Sequence, residues 1–318
     1  MLRVAVRGTR RVVLLDCGDL RRVTQGVLRR VSDLLVSHAH LDHFGDFPRL
    51  LRARMGPHGG RLRLWGPPPF LAQVRAALGA FSWNLLGDFP LLLEVGEVDR
   101  EGSRRARFTA RTGGFTEGPA EWLPAPADTP TLLHAADGIR LHASVLDHGL
   151  PCLAFALEES RHVEIDPVAL RRLGLAPGPW LGELRRRLRG GDTPEGIARD
   201  LATPPEGRRP TPDLLRQVVR RIGPGKRVAY AVDLAASDAN RQALSRIAQG
   251  ADLLYLEAAF GEDEAARAQA TRHLTAVQAG ALARQLQVKR LVPIHVSSRH
   301  HQEIARILAQ AQRAFVGG

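Results

Sequence analysis

The stretch that decides the reading of this chain is Leu34–Asp46, LLVSHAHLDHFGD. An apolar run, Leu34, Leu35 and Val36, ends in Ser37. Four metal-capable side chains then fall within six positions: His38, His40, Asp42 and His43. His38 and His40 are two apart, so in extended backbone they point the same way. Asp42 and His43 follow where the chain turns into a helix. Imidazole nitrogens with a carboxylate oxygen suit a borderline ion such as zinc. With partners from elsewhere in the chain, they suit two ions. The apolar strand before the motif and Gly45 after it make this a buried strand exit, not a His-rich surface tail.

Outward from the motif, the composition bounds what the chain can be. Its 318 residues are enough for one large domain or two small ones. Its longest apolar runs, Leu253–Leu256 and Ala258–Phe260, are strand-sized. None approaches the roughly 20 residues of a membrane span. Met1-Leu2-Arg3 leads into no signal-type apolar core, so the expectation is a cytoplasmic protein with no membrane partner. Cys17 and Cys152 form no metal spacing and read as reduced, buried thiols. The net charge of +12 points toward a polyanionic partner. Nearly all of it is arginine, with only Lys226 and Lys289 as lysines, and a GC-rich genome gives the same bias. The charge therefore gains weight only from the site.

Val4–Val6 and Val12–Cys17 read as strands joined by a hairpin at Gly8, and Gln25–Val31 as a helix. Helix resumes over Asp46–Met55, a strand covers Arg61–Trp65, and Phe70–Phe81 is an amphipathic helix. Leu91–Val95, Arg105–Arg111 and Ile139–Leu146 are strand candidates, with Thr112–Pro130 a Gly/Pro/Thr-rich loop. Cys152–Glu158 is a further strand. Residues 160–225, rich in Pro and Arg, read as an insertion or protruding arm within a single domain of 1–318, and not as sheet. Alternation then resumes: strands at Val228–Val232, Leu253–Leu256 and Leu291–Ile294, and helices at Ala239–Gln249, Glu262–Leu286 (broken near His273) and His301–Phe315. Such alternation permits two mixed sheets packed face to face with helices outside, or one doubly wound α/β sheet.

Besides the opening motif, four strand ends carry a residue able to bind metal or move a proton: His148, Asp233, Glu257 and His295. Strand ends gather at one rim of a sheet, so these residues can converge despite their separation in sequence. Two ions roughly 3.5–4 Å apart can hold a hydroxide nucleophile and stabilise charge on a phosphoryl transition state.

HAHLDH resembles the HxHxDH signature of the metallo-β-lactamase fold, which decides for a four-layer αββα sandwich. Later segments resemble the ribonuclease Z branch of that fold: VLDHGLPCLAFALEE, AYAVDLAASDAN, ADLLYLEAAF and HLTAVQAGALARQLQVKRLVPIHVSSRH. GLAPGPWLGEL is similar to the Gly-Pro arm with which that family grips the tRNA body, and it carries Arg185, Arg186, Arg187 and Arg189 close behind. The resemblance implies a two-zinc enzyme, with manganese or iron as the other ions these ligands accept. His38, His40 and His148 would hold one ion. Asp42, His43 and His295 would hold the other, with Asp233 bridging. His273, held by Glu257, would protonate the leaving 3′ oxygen. Asp16 would support the loops from behind the ligands. The expected reaction is cleavage of precursor tRNA at its 3′ end, leaving a 5′-phosphomonoester. A homodimer is carried over from the resemblance alone.

The chain departs from the branch's pattern where its usual N-terminal strand and F-L-G-T-G-like loop are missing or shortened ahead of Leu2–Val6, at Gly18-Asp19-Leu20-Arg21 and at Val232-Asp233-Leu234, none of which removes a ligand. His58, His134, His142, His162, His300 and His301 are read as non-ligands. The alternatives are another hydrolase on the same scaffold, acting on a cyclic nucleotide or small ester, and a metal- or RNA-binding protein without turnover.

Overall fold

The structure, a computed structural model, describes residues 1–56, 59–126, 129–201 and 210–317. In the first half, strands β1 (Leu2–Ala5), β2 (Val12–Leu15), β3 (Val31–Leu35), β4 (Gly60–Gly66), β5 (Leu91–Val98), β6 (Gly102–Arg111) and β7 (Gly114–Glu117) lie side by side in chain order, and β8 (Glu121–Pro124) also pairs with β6. The second sheet takes β9 (Thr131–Ala136), β10 (Ile139–Asp147) and β11 (Pro151–Glu159). The chain then leaves it for β12 (Arg161–Ile165) and β13 (Val219–Pro224), which pair with each other. It returns with β14 (Arg227–Ala231), β15 (Leu253–Glu257) and β16 (Leu291–Ile294), giving the order β16-β15-β14-β11-β10-β9.

Three apolar layers explain the stacking. Val13, Leu15, Leu35 and Trp65 from the first sheet meet Leu141, Leu153, Phe155 and Val232 from the second in one buried cluster. The opposite face of the first sheet packs on helices Phe47–Arg54 and Phe70–Gly79 through Phe47, Leu50, Phe70 and Val74. The opposite face of the second packs on Asp238–Ala248, Ala276–Gln285 and Ile304–Val316 through Leu244, Ile247, Ala279 and Ile307. This is the αββα sandwich. Strands such as Val12–Leu15, buried on both faces, carry no polar alternation because both faces are covered.

Strand direction gathers the functional ends. β2, β3 and β4 are parallel, as are β14, β15 and β16. β10 and β14 are each antiparallel to β11, so β10 also finishes on the rim where β14–β16 end. At that rim the Leu153 N–H donates to the Ser37 carbonyl at 2.8 Å, stitching the two sheets together directly before His38.

Several sequence expectations need correction. The Thr112–Pro130 loop contains β7 and β8, whose short edge segments pair through backbone and leave no buried alternation to read. β9 lies outside every expected strand. Helix covers only Gln25–Leu28, because Val31 opens β3 and pairs with Val12. Residues 160–225 are not sheet-free: β12 and β13 form a two-stranded sheet, and helices Pro167–Arg172, Pro179–Gly190, Pro194–Asp200 and Pro212–Val218 surround it. Val163, Trp180, Leu184, Ile197 and Leu215 give this segment a core of its own. It seats on the N-terminal hairpin where Gly8 meets Gly182. A Cβ on Gly8 would stand 2.4 Å from the Gly182 carbonyl oxygen, and Gly8 sits at φ +82°.

Candidate metal centre

His38, His40, Asp42, His43, His148, Asp233, Glu257, His273 and His295 converge at the rim. They form overlapping groups whose ligand atoms lie within 4.8 Å of one another: His38, His40 and His148; His38, His43 and Asp233; Asp42, His43 and His295; and Asp233, Glu257, His273 and His295. His38 Nε2 stands 2.8 Å from His40 Nδ1, and His43 Nε2 stands 3.2 Å from His295 Nε2. Asp233 Oδ2 lies 2.8 Å from His43 Nε2 and 3.6 Å from His38 Nε2, between the two halves of the cluster. His38, His43, Asp233 and Glu257 are buried, while His40 and Asp42 are exposed. The cluster therefore has a closed floor and an open mouth.

The backbone aims these groups. Asp16, Asp233, Arg272 and His295 all adopt left-handed backbone, with φ between 54° and 59°. For residues with a Cβ this conformation is unfavourable and persists where the surroundings fix it. At Asp16, Asp233 and His295 it turns the chain sharply off a strand end, and at Arg272 off the end of the helix Ala265–Ala270. The Asp16–Leu20 loop clamps the motif: Cys17 N–H donates to the His43 carbonyl at 2.7 Å, and Asp46 N–H to the Cys17 carbonyl at 2.9 Å.

Behind the ligands, Asp16 accepts from the Ser37 N–H (2.7 Å), the Ser37 hydroxyl (3.0 Å) and the Tyr230 hydroxyl (2.7 Å), and it holds His43 Nδ1 at 2.9 Å. That fixes the His43 ring so that Nε2 faces the cluster. Glu257, fully buried, accepts from the N–H groups of Asp233 (3.0 Å), Leu234 (3.2 Å) and Leu274 (3.0 Å), and it pairs with His273 Nδ1 at 2.9 Å. His148 donates from Nδ1 to the Arg272 carbonyl at 2.9 Å, which leaves Nε2 for the cluster. Tyr230 and Arg272 were not singled out from sequence. The signal for Tyr230 was a hydroxyl three residues before Asp233, in a strand whose other residues are Arg227, Val228, Ala229 and Ala231.

The electrostatics ask for a cation. Burial, then the charge of His43, pushes His38 down to about 4, leaving the neutral imidazole that a metal requires. Burial also disfavours a charged His43, but Asp16 and Asp233 outweigh it and raise its pKa to about 10. Burial works to raise the Asp233 carboxyl, yet His43 and His295 hold it low. Asp233 Oδ1 and His295 Nδ1 are buried and stand 3.3 Å apart, with neither making a hydrogen bond among the described residues. Facing imidazole nitrogens, ionised carboxylates and these two unmet atoms fit divalent metal.

Of the other histidines, His162 pairs with Glu159 at 2.9 Å and His300 with Glu264 at 2.6 Å. His58 lies outside the described residues. None of His134, His142, His162, His300 and His301 joins a metal-capable group among the described residues. Cys17 and Cys152 are buried free thiols, with burial pushing both well above the usual thiol range.

A sandwich of this order with such a centre at its rim defines a metallo-β-lactamase-fold, metal-dependent hydrolase. The Metallo-beta-lactamase superfamily pattern matches residues 4–140, and the Beta-lactamase superfamily domain pattern matches 197–296. The chain is 30% identical to Ribonuclease Z of Deinococcus radiodurans over 308 residues, covering 95% of this chain and 87% of that one. It is 31% identical to Ribonuclease Z of Salinibacter ruber over 307 residues, covering 93% and 79%. The crystal structure of the short form of human tRNase Z shares the fold, with a TM-score of 0.55 at 16% identity over 94% of this chain and 86% of that one. The chain belongs to the ribonuclease Z family, and with it to a class of hydrolases that bind divalent metal. No helix among the described residues is long and apolar enough to cross a membrane.

Proposed function

We propose that this protein is a zinc-dependent endoribonuclease that cuts precursor tRNA at its 3′ end, leaving a 5′-phosphate on the released trailer. The observation that carries the reading is His273, held by the buried Glu257 at 2.9 Å, with its ring 4.7 Å from that of His148. A proton donor thus stands beside the metal-capable cluster, where a leaving alkoxide needs one.

In this reading His38, His40 and His148 would hold one ion and Asp42, His43 and His295 the other, with Asp233 placed to serve both. Bound zinc supplies an activated water at neutral pH and neutralises charge on the scissile phosphate. The chain's own residues do the rest. Asp16 and Tyr230 keep His43 in one tautomer, and the Arg272 carbonyl does so for His148. Glu257 fixes the backbone of Asp233 and orients His273. Burial works against protonation of His273, but Glu257 and then Asp233 overcome it and raise its pKa. It therefore keeps a proton for the 3′ oxygen. In the 160–225 segment, Arg185, and Arg186 with only long ion pairs to Asp137 (4.0 Å) and Glu183 (3.9 Å), would contact the phosphates of the tRNA body and set its register. Arg187 is tied to Asp192 at 2.6 Å within the segment, and Arg189 is buried against the Arg7 and Asp137 carbonyls and so fastens the segment to the sandwich.

The test is a pair of substrates. Zinc-loaded protein is incubated with a 3′-extended precursor tRNA and, separately, with bis(p-nitrophenyl) phosphate. Cleavage of both is expected. Cleavage of the ester alone would keep the metal centre and remove the tRNA assignment.

A further inference from the structure

A second polar site lies away from the metal-capable cluster. Strand β9 of one sheet faces β4, β5 and β6 of the other around a cavity of about 220 Å³. None of the clustered His, Asp and Glu residues lines it. Arg63, Arg105 and Arg107 line it, with Glu94 and Glu121 as the acids.

The charges do not balance. Glu94 is shared by three guanidinium groups, at 3.5 Å from Arg61, 3.4 Å from Arg63 and 3.8 Å from Arg107. Asp33, 3.6 Å from Arg63, is already engaged by Arg11 at 2.9 Å. Arg105 has no ion-pair partner within 4 Å among the described residues; Glu94 and the cross-strand neighbour Glu121 act on Arg105 only from farther away. Its guanidinium carbon instead stands 4.6 Å from the ring centroid of Trp65, which is 4% exposed. Gly96 makes room for that ring: a Cβ there would be 2.3 Å from it.

Arg105 Nε, Trp65 Nε1 and His134 Nε2 are all buried with no hydrogen-bond partner among the described residues. Arg105 Nε and Trp65 Nε1 are donors, and His134 Nε2 is one in the tautomer that protonates it; each unmet buried donor costs about 1–3 kcal/mol. A guanidinium stacked on an indole is a rigid, partly desolvated cation with a preformed fork of donors. Water could satisfy the donors but would leave the surplus charge. An anion rich in acceptors answers both.

We infer that the cavity between β9 and β4–β6 binds a small oxyanion of the phosphate class. Arg105 and Arg63 hold it by charge, and Trp65 and His134 complete the hydrogen bonds. The oxyanion arrives either free or as the phosphate of a mononucleotide, and both present the same oxygens to Arg105.

Zinc-loaded protein is titrated with inorganic phosphate and, separately, with adenosine 5′-monophosphate, following tryptophan emission, since Arg105 lies on Trp65. A saturable change is expected. Arg105→Gln should raise the half-saturating phosphate concentration about tenfold or more, with unchanged hydrolysis of bis(p-nitrophenyl) phosphate. Trp65→Phe should remove the emission change. Equal affinity for the two ligands assigns the site to free oxyanion, and tighter binding of the nucleotide assigns it to a mononucleotide. In crystals soaked with tungstate, a heavier oxyanion, a peak beside Arg105 is expected. A peak at the metal cluster alone, or an Arg105→Gln titration identical to wild type, would overturn the assignment.

Discussion

His148 and Arg272 are 124 positions apart in sequence, yet His148 Nδ1 donates to the Arg272 carbonyl at 2.9 Å. Arg272 holds that carbonyl in place from left-handed backbone at φ 58°, and its guanidinium reaches Asp147 at 3.1 Å. The next residue is His273. One strained dipeptide therefore aims a metal-capable histidine and positions the proposed acid.

Substitution at Arg272 should separate backbone from side chain. Arg272→Gly keeps the carbonyl and relieves the left-handed conformation, so both metal equivalents and the melting temperature should be retained. Arg272→Val places a β-branched residue there, at a cost of about 1–2 kcal/mol. It should lower the melting temperature and weaken one metal equivalent. Equal behaviour of the two variants would remove the backbone from the account.

Gly18 makes a sharper steric prediction. A Cβ there would stand 1.7 Å from the Asp42 carbonyl oxygen, and neither backbone segment has a flexible end to yield. Gly18→Ala should push the clamp loop off the His38–His43 turn, and metal analysis by mass spectrometry should show lost zinc. A fully loaded variant would mean the two loops can part without consequence.

Tyr230→Phe deletes one hydroxyl, the donor to buried Asp16 at 2.7 Å. Removing such a partner costs about 1–3 kcal/mol. Loss of an outer partner of a metal ligand typically weakens metal binding about 10- to 100-fold. Calorimetric titration should find this loss in the ion held by His43 and not in the other. Equal weakening of both would show a general loosening of the sandwich.

For His273 the prediction concerns the leaving group and pH. His273→Ala should lose RNA cleavage while keeping both metals, and should lose far less activity on bis(p-nitrophenyl) phosphate, whose phenolate leaves unaided. The raised pKa of His273 means its protonated form persists above the ordinary histidine range. RNA cleavage should thus hold through neutral pH and fall as pH rises through that pKa, with no matching fall for the ester attributable to His273. If His273→Ala loses metal, the residue is a ligand and not the acid.

How much was legible varied with how local the signal was. His38–His43 declared itself because strand, turn and helix start lie in one short stretch. His148, Asp233, Glu257 and His295 were visible as polar residues ending apolar strands, a pattern that survives any distance in sequence. Tyr230 and Arg272 were not, since their parts are set by one hydroxyl and one carbonyl whose partners only the fold supplies. β7, β8, β12 and β13 escaped for a different reason. They are short, largely exposed and embedded in Gly, Pro or Arg, so pairing rather than burial makes them strands.

The most direct test of the whole reading is to map the products from a 3′-extended precursor tRNA under single-turnover conditions with the two-zinc protein. The account predicts one cut at the 3′ boundary of the tRNA body, a free 3′-hydroxyl on the tRNA and a 5′-phosphate on the trailer. Intact RNA with both metals bound, or products ending in a 2′,3′-cyclic phosphate, would contradict it.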